Sequence, residues 1–218
     1  MRNTITKSLQ DIFSSEVILF VLKIGFGALV STGLFIYLFW STLSSFITSY
    51  LSWIPWEWLK TTGASAATIA LAYMLIIIMI SILTSLYAEP LLIKLAKKHY
   101  PNAKVIGSPD ISKSVYLSIK SGVIFLLIFM FTFPIIFIPI IGQIYMLWLW
   151  SIIIKEPTAY DVSSLFISDK RIIKEKTKKS RIIAMIASLF NYVPLLNIFA
   201  PVFAQILFLH QILGKENT

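Results

Sequence analysis

The sequence predicts an all-α integral membrane protein with two long transmembrane helices, two hemi-penetrating (re-entrant) helical hairpins and an interfacial amphipathic helix. Three observations predict it. Hydrophobic side chains make up 57% of 218 residues, and the mean hydropathy is +0.83, which is more apolar surface than a soluble domain buries. Apolar blocks at about 17–47, 64–93, 121–154 and 182–213 each exceed the roughly 20 residues of a spanning helix. The bases between these blocks are distributed in a way that simple alternation of spans does not explain.

The first block, about Val17 to Ile47, is too long for a signal-peptide core and is followed by no small-x-small cleavage pattern, so it reads as a retained transmembrane helix. Lys23 is the base inside it. It either snorkels to the inner headgroups or meets an anion or Glu89. The outer loop carries Trp53-Ile54-Pro55-Trp56-Glu57-Trp58 with Lys60, a run suited to an aromatic interface belt or, alternatively, a buried plug. The second helix is expected over 64–100, with a cytoplasmic extension ended by Pro101. Lys97, Lys98 and His99 in its last turn suit the helix dipole. Glu89, before Pro90, is an ionisable group near the inner interface, either functional or paired with a lysine. Ser81, Thr84, Ser85 and Ala88 lie at the spacing of a close helix-packing face.

Charge decides how the third and fourth blocks are read. With Arg2 and Lys7 inside, alternating spans place the 94–120 connector inside with its lysines. The 155–181 connector, the most basic of the chain, would then lie outside, against the positive-inside rule. Hairpins that enter and return to one face remove the conflict, so hairpin 1 is expected at 121–154 and hairpin 2 at 182–213. Pro134, Pro139 and Gly142 break the first block at its middle, and Pro194 and Pro201 break the second. Each arm is then about a dozen residues, roughly 18 Å of helix, short of a hydrocarbon core of about 30 Å. Broken backbone at that depth needs shelter from protein or a wet cavity, and oligomerisation supplies one. Gln143, Asn191 and Asn197 near the tips either hydrogen-bond across helices or line a polar path. Between the hairpins, 163–180 sets Leu165, Phe166, Ile172 and Ile173 against a basic face. Lys170, Arg171, Lys174, Lys178 and Arg181 are expected to contact anionic headgroups.

The formal charge of +9 would suggest nucleic acid in a soluble protein, but bases in short loops beside apolar blocks point to anionic lipid instead. There is no cysteine, hence no disulfide or thiolate metal site. No phosphate loop, His-Glu-x-x-His or nucleophile elbow is present, and the two histidines, His99 and His210, lie in different blocks. No catalytic residues, metal or cofactor are expected, and no ATP-driven transport by this chain alone.

The layout resembles the etoposide-induced-protein domain family, whose bacterial members include the CysZ sulfate permeases. Ala88-Glu89-Pro90-Leu91 with Leu95-Ala96 is similar to the family's Ala-Ala-Pro-Phe stretch. Ile138-Pro139-Ile140-Ile141-Gly142-Gln143 resembles the turn of its first hairpin, and Leu147-Trp148-Leu149-Trp150 the return arm. Most specific is Val193-Pro194-Leu195-Leu196-Asn197-Ile198-Phe199 with Pro201-Val202, like the family's Ile-Pro-Leu-Leu-Asn-Leu block. The resemblance implies a multi-pass, oligomeric protein of the bacterial inner membrane with both termini cytoplasmic, passing sulfate or a related small oxyanion. The chain departs from the pattern where the family's anion-binding Gly-x-Arg-Arg aligns with Glu16-Val17-Ile18-Leu19, which has no cation. The family's carboxylate after the Ala-Ala-Pro-Phe stretch falls on Lys97, and its Asp-Tyr-Pro loop is reduced to Glu156-Pro157-Thr158-Ala159-Tyr160-Asp161. These departures leave a second reading, a non-transporting membrane scaffold of the same fold.

Overall fold

A computed structural model describes residues 2–50, 52, 55, 57–178 and 180–214. Trp53, Ile54 and Trp56 of the expected aromatic belt, and the side chains of Trp58, Lys60, Lys170 and Lys178, lie outside the described part. Among the described residues the chain is all-α. It divides into two compact units, one of residues 21–84 and one of residues 1–20 with 85–218.

The first unit is built from two apolar helices. Helix α2, Ser15–Tyr50, opens behind Ser14, whose hydroxyl accepts from the Val17 amide at 3.4 Å. At 36 residues it is roughly 54 Å long, and Phe39 leaves helical geometry (φ −109°, ψ 16°), one way an overlong apolar helix fits a bilayer. Val21, Ile24, Ala28 and Thr32 form its buried stripe, whereas Leu22, Phe26, Leu29, Leu34 and Leu38 face outward. An outward face that apolar is stable only in lipid. Helix α3, Glu57–Tyr87, approaches α2 closely at Gly27, where an added Cβ would sit 3.4 Å from Leu83 Cδ1.

The expected continuous helix over 64–100 is corrected: it starts at Glu57 and breaks at Ala88, where the chain bends by 60° into α4, Glu89–His99. Pro90 causes the break, because it offers no amide to the preceding turn and its ring clashes there. Tyr100 closes α4, its amide donating to Ala96 O at 2.7 Å.

The second unit is organised around helix α9, Ala200–Leu213, whose residues Val202 to Leu213 are all buried. Around it pack α1 (Arg2–Ile12), α4, α6 (Ile141–Phe166) and α8 (Arg181–Ser188). Helix α1 is not among the sequence expectations. It is amphipathic and buries Ser8, Asp11 and Ile12.

Helix α5, Ile111–Thr132, runs antiparallel to α6, joined through a 3₁₀ turn, Phe133–Phe137. Asp110 caps α5, its carboxylate accepting from the Lys113 amide at 3.3 Å. The helix has 22 residues, so this arm is longer than the dozen expected: the polar turns from Ile111 to Lys120 continue the apolar stretch as helix. The arms of the second hairpin are shorter, α8 with 8 residues and α9 with 14.

The two tips repeat one geometry. In each, a 3₁₀ turn gives way to an extended residue, Ile138 or Val193, then Pro139 or Pro194, then a residue at positive φ, Ile140 (67°) or Leu195 (70°). The amides of Gly142 and Asn197 reach back to Ile138 O and Val193 O, at 2.7 and 3.2 Å. Ile141 N also donates to Pro139 O at 2.7 Å, closing a strained γ-turn. Tyr192 binds the tips together, its hydroxyl donating to Gln143 O at 2.8 Å and its ring packing on Trp150.

The amphipathic helix expected over 163–180 is corrected to α7, Lys170–Lys178. Residues 163–166 complete α6, Ile167 is extended, and Asp169 starts the new helix by accepting from the Arg171 amide at 2.7 Å.

Candidate functional site

Two polar assemblies lie in the second unit. The first is an open cleft of about 860 Å³ between the start of α5, the middle of α6 and α7. Lys113, Lys155, Arg171 and Lys174 line it together with Glu156, Glu175 and Tyr160. The backbone brings both basic connectors to this cleft: Ile106 N donates to Leu165 O at 2.9 Å, and Asp110 N donates to the Tyr160 hydroxyl at 3.2 Å. Lys113 Nζ stands 4.3 Å above the Tyr160 ring. Four cations against two carboxylates on one wall give a local positive field, the condition for concentrating small anions. Next to it, Asp161 accepts from Ser114 Oγ at 2.5 Å and Ser85 Oγ at 3.2 Å. Burial pushes its carboxyl up from the ordinary value, only partly offset by the two hydroxyls.

The second assembly is buried. Asp11 of α1 is 1% exposed and sits between two imidazoles, with Oδ1 2.9 Å from His99 Nε2 and Oδ2 2.8 Å from His210 Nε2. The two rings meet edge to face at 5.0 Å. His210 Nδ1 bonds the Tyr100 hydroxyl at 3.0 Å, and Lys98 Nζ lies 3.3 Å from Asp11 Oδ1. Burial alone would raise the Asp11 carboxyl. The bonds to His210 and His99 outweigh it and bring the carboxyl down to about 2. The cluster joins α1, α4 and α9, elements separated by up to 199 positions in the chain.

The residues singled out by sequence fall in separate places. Lys23 is exposed on α2 in the first unit. Glu89 is the half-buried first residue of α4 in the second, where its charge suits the helix N-terminus. Asn191 and Asn197 lie in the two 3₁₀ turns of the second tip, and Gln143 follows the first tip, its backbone carbonyl accepting from the Tyr192 hydroxyl. Arg171 and Lys174 line the cleft. Arg181, expected at the headgroups, stacks its guanidinium over Trp148 at 5.5 Å, with Nη1 buried and making no hydrogen bond among the described residues. The separation of the histidines into different blocks is overturned as an argument against a constellation, because the fold closes them onto one carboxylate. A faint signal was available: Asp11 is the acid of an amphipathic N-terminal helix, and each histidine lies in the last turn of a helix.

Residues 4–201 match the family model described as sulfate transporter CysZ/etoposide-induced protein 2.4. The chain belongs to this family. The protein is therefore a multi-pass, sulfate transporter-like membrane protein. Comparison with curated proteins and with solved structures gives no match. At the start of α2, Glu16 forms an ion pair with Lys94 at 2.9 Å.

Proposed function

We propose that this member of the CysZ family is a permease for sulfate or a related small oxyanion in a bacterial inner membrane, with both termini and the basic cleft on the cytoplasmic side. The carrying observation, beside family membership, is the cleft itself, where Lys113, Lys155, Arg171 and Lys174 converge from connectors far apart in sequence. A tetrahedral oxyanion is held by several N–H donors, and arginine and lysine supply them at a wet surface without the cost of full burial. Arg181, at the start of α8, adds a guanidinium that stacks on the Trp148 ring with its Nη1 buried. Flux is passive or ion-coupled, since the sequence holds no nucleotide-binding motif. The re-entrant hairpins need lateral shelter for tips that expose Phe137, Ile140 and Leu195, which favours a homo-oligomer in anionic lipid.

Uptake of labelled sulfate into proteoliposomes tests the reading. Rates above those of empty vesicles are expected, and they fall about tenfold when Arg171 and Lys174 are both changed to Glu, because the field at the cleft reverses. Rates equal to empty vesicles across several oxyanions would defeat it. The pairing of Glu16 with Lys94, where the family carries its cations, favours a second reading, a non-transporting scaffold. A specific anion site raises the melting temperature with sulfate beyond chloride at equal ionic strength, and a scaffold shows no difference.

A further inference from the structure

The geometry points to a binding site for a divalent transition-metal ion of the Zn²⁺ class formed by Asp11, His99 and His210. Two imidazole nitrogens and one carboxylate are the donor set of three-ligand zinc sites, and their ligand atoms all lie within 4.8 Å of one another. Both rings present the same nitrogen, Nε2, to the same carboxylate, at 2.9 and 2.8 Å. Donors around a tetrahedral ion at zinc distances stand roughly 3.3 Å apart, so the two carboxylate–imidazole spacings open by a few tenths of an ångström while the widest donor spacing, within 4.8 Å, closes onto the ion.

The surroundings fit a site that takes an ion. His210 Nδ1 is held by the Tyr100 hydroxyl at 3.0 Å, the outer bond that fixes which ring nitrogen faces a metal. Asp11 and His210 are each 1% exposed, which keeps competing water away. His99 is 17% exposed and opens the site on the α4 side, giving an ion a way in. Two cations oppose it: Lys98 on Asp11, and Lys7 5.0 Å from the Tyr100 ring centre. Lys98 is 53% exposed and free to swing into solvent when an ion takes its place on the carboxylate. An ion bound here clamps the N-terminal helix to α4 and to the central helix α9. This clamp is independent of the anion pathway.

The test uses the full chain in detergent, stripped by a chelator and titrated with Zn²⁺, with Mg²⁺ as the control. The expected result is one Zn²⁺ per chain by elemental analysis and a melting temperature raised by Zn²⁺ and not by Mg²⁺. Tyr100→Phe weakens binding about 10- to 100-fold, and His99→Gln abolishes it while the gel-filtration profile is kept. Zn²⁺ retained equally by His99→Gln, or equal shifts with both ions, would overturn the site and leave a hydrogen-bonded staple. Should His99→Gln not fold, Co²⁺ on the wild-type chain decides. Ligand-field bands of a low-coordinate nitrogen and oxygen site are expected, and the spectrum of aqueous Co²⁺ overturns the proposal.

Discussion

Gly142 shows how tightly single positions are held. A Cβ placed there would lie 2.2 Å from the Ile136 carbonyl oxygen, a backbone atom that cannot swing aside. Gly142→Ala is therefore expected to cost about 2 kcal/mol or more, measured by unfolding in mixed micelles, whereas Gly33→Ala, with nothing within 4 Å of its added Cβ, costs little. At Asp161 the carboxyl is raised by burial, so its folded form favours the proton. Its contribution to stability is complete below the unfolded value of 3.8 and is lost as the pH climbs through the folded value. The melting temperature of the wild type should fall relative to Asp161→Asn as the pH rises above the unfolded value of 3.8, and a constant difference would contradict the assignment. At this scale the sequence disclosed what local chemistry dictates: Pro139 and Pro194 sit at turns because no helix passes through them. It did not disclose Asp11 with His99 and His210, because their proximity depends on how α1 and α9 dock, and no periodicity encodes that.

Among the elements, α2 and α9 are both apolar and live in different solvents. Phe208 of α9 is 0% exposed, while Leu38 of α2 is 64% exposed. Phe208→Ala should destabilise by about 3 kcal/mol or more through the cavity it leaves, and Leu38→Ala by less than about 1 kcal/mol, because lipid refills the space. Equal costs would mean that α9 is not the centre of its unit. Apolar run length announced α2 and α3, and prolines announced the two tips. Helix α1 escaped because 11 residues with a polar face resemble any polar terminus. The bend at Ala88 is missed for another reason: the expected helix runs through Pro90, yet a proline at the second position of α4 starts a new helix. In the same way α7 is shorter than its charge pattern, since Asp169 resets the chain before it.

For the whole molecule, the account rests on where the basic connectors lie. The positive-inside rule requires the 94–120 and 155–181 connectors to share a compartment, and the chain brings Lys113 to the same cleft as Arg171 and Lys174. The proposed permeation and lipid contact rest on that arrangement. The cysteine-free sequence makes the decisive measurement direct: single cysteines at Lys104, Lys174 and Ser52, probed with a membrane-impermeant thiol reagent in oriented vesicles. Positions 104 and 174 are predicted to label from one face and position 52 from the other. Labelling of 174 only from the face opposite to 104 would contradict the account.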